Sequence, residues 1–232
     1  MLFNIDNAYS ALGVLSLGLL MTIFLTIICG ATSLVAGVFV ALAKMSKRRW
    51  LRAITGSYVT IVRSTPLLVQ LIFIYYALPF VGIRLNPLSA AYIGLSLNVT
   101  AYLSEVYRGG IEAVSKGQHD AAAALGMKSS VAMRRVIFPQ ALRTLIPTLG
   151  NYIVSLFKDT SLASVVTIQE LMFKGQIIAA QNYDYMTIYA MVFLLYLAVG
   201  YPSIRFVTYL EKRMKNGYAV KKASKRKVGV AL

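Results

Sequence analysis

"ALGVLSLGLLMTIFLTIICGATSLVAGVFVALA", residues 11–43, holds no charged side chain. About 20 apolar residues in a helix cross the hydrocarbon of a bilayer, so this run spans one with length left over for tilt or a projecting end. The remainder of the chain suits the same solvent. Of 232 residues, 58% are hydrophobic and 14% charged, and the mean hydropathy is +0.66. A water-soluble domain of that composition lacks the polar surface to cover itself. Asp6 precedes the run and no lysine or arginine does. That is unlike the basic start of a cleavable signal, so a mature transmembrane helix is expected.

Working outward, four more apolar segments follow. They run from about Ile54 to Phe80, from about Leu88 to Val106, from Pro139 to about Phe157, and from about Met186 to Leu210. The expected fold class is an all-α integral membrane protein with five transmembrane helices. Arg63 and Pro66 interrupt the second segment, and the proline, which lacks a backbone donor, is expected to kink it. Arg63 then either snorkels to the cytoplasmic headgroups or serves an inner gate. "KDTSLAS", residues 158–164, breaks the fourth segment.

The formal charge is +16, from 24 Lys and Arg against 8 Asp and Glu. These cations sit beside apolar segments instead of on one exposed basic face, which favours membrane topology over nucleic-acid binding. They gather in "KMSKRRWLR" (44–52), in the loop carrying Arg108, Lys116, Lys128, Arg134 and Arg135, and in "KRMKNGYAVKKASKRK" (212–227). Cytoplasmic flanks retain positive charge. The expected topology therefore has the N-terminus outside and the C-terminus in the cytoplasm, which requires an odd number of spans. A membrane domain over 1–216 and a basic cytoplasmic tail over 217–232 complete the expected organisation.

No catalytic constellation is present in the sequence. One cysteine, Cys29, cannot form an intrachain disulfide. There is no GxxxxGK[ST] phosphate loop and no HExxH, and the one histidine, His119, has no second ligand in view. Neither ATP hydrolysis nor a metal or other cofactor is expected of this chain.

Ionisable groups at membrane depth are costly, and they mark partners or a polar path. Ser104 and Glu105 sit near the inner end of the third segment, and Lys158, Asp159, Thr160 and Ser161 follow the fourth. Glu105 can pair with Arg108 one turn on, a structural role. Alternatively these groups face a path for a zwitterion, whose ammonium wants a carboxylate and whose carboxylate wants donors.

Between the third and fourth segments lies "HDAAAALGMKSSVAMRRVIFP", residues 119–139. Alanine is the best helix former, Asp120 at the start suits the helix dipole, and Gly126 can end the helix. A short cytoplasmic helix is expected, narrow enough to enter a groove of another protein; an ordinary amphipathic surface helix is the alternative.

The spacing Asp120-Ala121-Ala122, three residues, Gly126, nine residues, Val136-Ile137-Phe138-Pro139 resembles the cytoplasmic EAA loop of permease subunits of bacterial ABC importers. "RSTPLLVQL" (63–71), "AYLSEVYRGGIEAVSKGQ" (101–118), "FPQALRTLIPTLGN" (138–151) and "LFKDTSLAS" (156–164) resemble blocks of the polar amino-acid branch of that family. Asp120 replaces the usual glutamate, and Ser64 stands where glycine is common. The resemblance implies a loop, about 117–139, whose Asp120, Ala121, Ala122, Gly126 and Pro139 couple to a separate ATP-hydrolysing subunit. It implies a second permease subunit, identical or not, an extracytoplasmic amino-acid-binding protein, and a multi-pass location in the bacterial plasma membrane. Relatives that move basic amino acids often carry glutamate after the asparagine matching Asn151. Here Tyr152 follows Asn151, which implies a neutral or polar substrate, glutamine or cystine ahead of arginine or histidine. The rival reading is an ATP-independent secondary transporter or channel, disfavoured because no repeated halves are visible.

Overall fold

A computed structural model describes residues 3–228, with side chains described through Met214. Among the described residues the chain is entirely helical: α1 Ile5–Lys44, α2 Arg49–Arg63, α3 Leu67–Ile72, α4 Pro87–Glu112, α5 Lys116–Ala124, α6 Ser129–Ala132, α7 Phe138–Asp159, α8 Leu171–Asn182 and α9 Tyr185–Val228. α1 and the Tyr185–Met214 part of α9 are each long and apolar enough to cross a membrane. A third candidate is the bent pair Arg49–Arg63 and Leu67–Val81. The expected tail falls on residues 217–232, whose side chains lie outside the described set.

α4 is the centre of the bundle. Its buried residues include Ala91, Leu95, Asn98, Ala101, Leu103, Ser104 and Tyr107, which point in all directions around its axis. α1, α2, α3 and α7 pack about it. Because protein surrounds α4, its sequence need not be uniformly apolar. α1 meets it through a stripe of small side chains, Thr26, Cys29, Ser33, Gly37 and Ala41, all buried, while buried Gly30 faces Ile153 and Leu156 of α7. Such residues let helix backbones approach where lipid removes most of the hydrophobic drive and van der Waals packing must hold the helices. Cys29 is a free, fully buried thiol in this stripe. The other flank of α1 shows Leu20, Phe24, Ile27, Val35 and Phe39 outward, as a lipid-facing helix does.

α8 is a short helix that the apolar runs do not announce. It lies against α1 and α9, and its start is fixed by Glu170, whose side chain caps it by accepting from Met172 N–H at 2.9 Å and Phe173 N–H at 2.7 Å. At this crossing Gly18 of α1 leaves no room: a Cβ there would stand 2.9 Å from Leu171 Cα. Gly18→Ala should therefore destabilise the fold by about 1–3 kcal/mol, a cost of overpacking. Gly13→Ala, where a Cβ meets nothing within 4 Å, should be neutral or stabilising because alanine suits helices better. Thermal unfolding of the two variants in detergent checks the contrast; equal melting points would count against the crossing.

The N-terminal end of α1 is tied to the start of α9. Asn4 caps α1 by accepting from Asp6 and Asn7, its own N–H donates to Thr187 Oγ1 at 2.9 Å, and the Asn7 amide donates to Asp184 at 2.8 Å. That donation, the largest influence on the group, holds the Asp184 carboxyl below its ordinary range.

The expected kink at Pro66 is a break. α2 and the helical segment after it meet at 106°, far beyond the roughly 20° that defines a sharp kink. Proline removes its own donor and pushes the preceding residue, Thr65, out of the helical region. Pro66 takes an extended conformation, φ −63° and ψ 138°, at the N-cap of α3. Gln70 reaches back and donates to the Val62 carbonyl at 2.8 Å and to Thr65 Oγ1 at 2.8 Å, which holds the elbow's shape. Wider π turns at Phe73–Ala77 and Met133–Ile137 precede Pro79 and Pro139, absorbing the donor each proline lacks.

Candidate functional site

α7 does not end at Phe157 as the sequence suggests; Lys158 and Asp159 form its last turn, and a 3₁₀ turn, Thr160–Val166, carries the chain on. The helical spacing of Tyr152, Ser155, Leu156 and Asp159 puts one face of α7 against the elbow and α4. Between them is a cavity of about 250 Å³, the volume of about eight waters. Thr65 and Pro66 line it from the elbow, Asn98 and Tyr102 from α4, and Tyr152, Ser155 and Asp159 from α7.

The polar lining is positioned from behind. Asn98 is buried and its amide donates to Gln70 Oε1 at 3.1 Å, so the group that shapes the elbow also orients a cavity wall. Tyr102 and Tyr152 face each other with ring centroids 6.1 Å apart. The Arg63 guanidinium lies over the Tyr102 ring, 5.3 Å from its centroid, a cation–π contact. A carboxylate, a carboxamide and hydroxyls around one cavity can meet both an ammonium and a polar side chain of a small zwitterion.

Just beyond Tyr102 is a charged node. Glu105 accepts from the Lys44 ammonium, and from Arg108 at 2.8 Å and 3.3 Å. Arg63 stands 3.8 Å away, and Arg108 also pairs with Glu112 at 2.6 Å. The node joins the ends of α1, α2 and α4. Arg63 thus folds onto Tyr102 and Glu105 instead of extending away from the bundle.

Of the residues singled out from sequence, the cavity brings together Pro66, Tyr152 and Asp159. Glu105 belongs to the ion node. Ser104 is fully buried and donates to the Ala101 carbonyl at 2.7 Å. Thr160 is likewise buried, donating to the Phe157 carbonyl at 2.8 Å, and Ser161 donates to the Lys158 carbonyl at 2.7 Å. Asn151 and Lys158 are exposed on the neighbouring face of α7. Asn98, Gln70 and Ser155 were not read from the sequence; the signal available was an amide in each of two otherwise apolar stretches.

The second region is α5. It begins at Lys116, not beside Asp120, and no acidic residue lies in its first turn. Asp120 is therefore mid-helix, past the reach of the dipole at the helix start. The C-terminal end follows a Schellman pattern: Gly126 N–H donates to Ala123 O at 2.9 Å and Met127 N–H to Ala122 O at 3.1 Å, with Gly126 at φ +69°. Ala122 is buried, whereas Asp120, Ala121 and Leu125 are exposed, Leu125 by 79%. Gln118 Oε1 accepts from Gln140 Nε2 at 2.9 Å, joining α5 to the turn after Pro139.

A polar-lined cavity within a helical membrane bundle, with a small-residue helix held outside it on a glycine-closed loop, is an arrangement suited to a transport permease. The chain belongs to the family of binding-protein-dependent transport system inner membrane components, whose sequence model matches residues 33–216. It is 46% identical to the L-cystine transport system permease protein TcyB of Bacillus subtilis (strain 168), over 74% of this chain and 73% of that one. It is 41% identical to a putative glutamine transport system permease protein GlnP of Rickettsia bellii (strain RML369-C), over 72% and 78%. The fold is similar to that in the crystal structure of an amino acid ABC transporter with histidines, at TM-score 0.87 and 33% identity, covering 92% of this chain and 100% of that one.

Proposed function

We propose that this chain is the membrane-spanning subunit of an ATP-driven importer of a polar or neutral L-amino acid in a bacterial plasma membrane. Five spans fit this reading: α1, the bent α2–α3 segment, α4, α7 and α9, with the N-terminus outside and the C-terminus and α5 in the cytoplasm. The cavity between the elbow, α4 and α7 is part of the path, with Asn98, Tyr152 and Asp159 toward the substrate, Ser104, Glu105, Thr160 and Ser161 around it, and Arg63 and Pro66 at the inner gate.

The observation that carries the reading is the exposed pair Asn151 and Lys158 beside the cavity. Lys158 has no ion pair among the described residues. An exposed ammonium beside the charge of Asp159, on a helix at membrane depth, is best served by water or by another subunit. A second permease subunit on that face, identical or homologous, supplies the latter. ATPase subunits dock on α5 through Asp120, Ala121 and Gly126, with Ala122 packed beneath them and Pro139 returning the chain to the membrane, and their closure moves the two α5 helices together as a two-state switch. An extracytoplasmic binding protein delivers the amino acid. Glutamine or cystine is favoured over basic substrates because Tyr152, a neutral ring, occupies the wall where a carboxylate would pair a cationic side chain.

Gentle purification from the native membrane should recover a P-loop ATPase together with this chain, and its hydrolysis should rise with glutamine or cystine. Gly126→Val forces a β-branched residue to a positive φ, which costs about 1–2 kcal/mol, and should reduce ATPase recovery by about tenfold. Substrate movement with no ATPase present would overturn the importer, and stimulation by arginine or lysine alone would overturn the substrate class.

A further inference from the structure

The turn between α1 and α2 carries four cations in six positions, Lys47, Arg48, Arg49 and Arg52. All four side chains are exposed. None forms a side-chain hydrogen bond or ion pair among the described residues. Three residues upstream the situation is opposite: Lys44 is neutralised by Glu105. Glu105 and Glu112 are already taken by Lys44 and Arg108, and among the described residues the patch has no ion-pair partner.

Two exposed apolar side chains lie within and beside it, Trp50 at 59% and Ile54 at 62%. They are one helical turn apart on α2 and so share a face. The patch also begins four residues after Ala43, where the lipid-facing run of α1 ends. Cations, an indole and an aliphatic side chain together at that level match a phospholipid interface, where the ring sits among headgroups and guanidinium groups bind phosphate in a forked geometry. We infer that Lys47, Arg48, Arg49 and Arg52, with Trp50, form a binding surface for anionic phospholipid headgroups. The interleaved apolar residues favour lipid over an acidic protein surface, which would leave Trp50 and Ile54 to be covered separately. The surface holds α2, and through it the elbow at Pro66, at a fixed depth in the inner leaflet, and this role is independent of which substrate is carried.

Trp50 is the sole tryptophan of the chain, so the patch contains its own reporter. The full chain would be reconstituted in phosphatidylcholine vesicles containing a tenth, by mole, of lipid with brominated acyl chains, either phosphatidylglycerol or phosphatidylcholine. Juxtamembrane cations each strengthen attraction to anionic lipid several-fold. The brominated anionic lipid should therefore quench Trp50 about twofold more than the brominated zwitterionic lipid. Replacing Lys47, Arg48, Arg49 and Arg52 together by glutamine should abolish the preference, and replacing the three arginines by lysine should retain most of it. Equal quenching by the two lipids in the unaltered chain would overturn the proposal. So would a preference that survives the glutamine replacements, or loss of a co-purified subunit on those replacements with the lipid preference intact, which would make the patch a protein interface.

Discussion

Glu170→Ala is expected to leave almost no monodisperse protein after extraction. The carboxylate is fully buried and serves two backbone N–H groups of α8, the Tyr196 hydroxyl at 2.9 Å and, at the limit of contact, Thr22 at 3.4 Å. It joins α1, α8 and α9 in one contact. Losing the cap costs about 0.5–2 kcal/mol, and each buried donor left without an acceptor about 1–3 kcal/mol more. Thr22 also donates to the Gly18 carbonyl, so Tyr196 is the side-chain donor left without an acceptor, and the sum, about 1.5–5 kcal/mol, reaches a large part of the stability of an ordinary domain. Glu170→Gln keeps the shape and one acceptor oxygen but turns an NH₂ toward a donor, so an intermediate loss is expected. Tyr196→Phe removes one donor and its carboxylate bond together and should cost only about 1 kcal/mol. Size-exclusion profiles and melting points for the three variants test this order; a Glu170→Ala chain as stable as Tyr196→Phe would show that the contact does not hold α8.

The second large effect is expected at the ion node. Glu105→Gln leaves Lys44, Arg63 and Arg108 converging on a neutral amide, with Glu112 still on Arg108. Removing one partner from a buried ion network costs about 3–5 kcal/mol. The Glu105 side chain is 17% exposed, so solvent reduces this to about 1–3 kcal/mol. Lys44→Met should cost less, and in the double variant the two losses should fall short of additive, because each removes part of the same contact. Arg63→Gln should change stability little, since Arg63 is 3.8 Å from the carboxylate and 44% exposed, and exposed pairs contribute little. Its effect belongs instead in transport, because Arg63 rests on Tyr102 of the cavity wall. Additive losses at Lys44 and Glu105 would dissolve the node into independent surface charges.

Much of the architecture was legible because a bilayer imposes simple rules. The long apolar stretches became α1 and α9, and the segments beginning near Leu88 and Pro139 became α4 and α7. The kink at Pro66 was visible as a proline, but its size was not, because the break depends on Gln70 capping the freed Val62 carbonyl from eight residues away. Asp120 resembled a helix-start acid, yet the helix begins a turn earlier, at Lys116. In the sequence Glu170 is one acidic residue between apolar segments, with nothing to mark it as buried. Its burial follows from α8 folding back onto α1 and α9, a contact between residues 148 apart in the chain that periodicity cannot express. The cavity shows the same limit. Tyr152 and Asp159 stand out as polar groups in α7, whereas Asn98 acquires meaning only when α4 is placed beside the elbow.

α4 and α7 are less apolar than α1 and α9, and neither meets the length-and-apolarity standard that those two meet. A helix carrying Asn98, Glu105 and Arg108 gains less by entering lipid alone than α1 does, since polar and charged side chains oppose insertion. Such a helix is better accommodated against a protein surface than in lipid alone. α1, made first, presents that surface in its stripe of small side chains, and Lys44 at its end carries the charge that Glu105 will meet. The order of elements along the chain thus suits an assembly in which the first helix offers the later, more polar ones a surface that matches them.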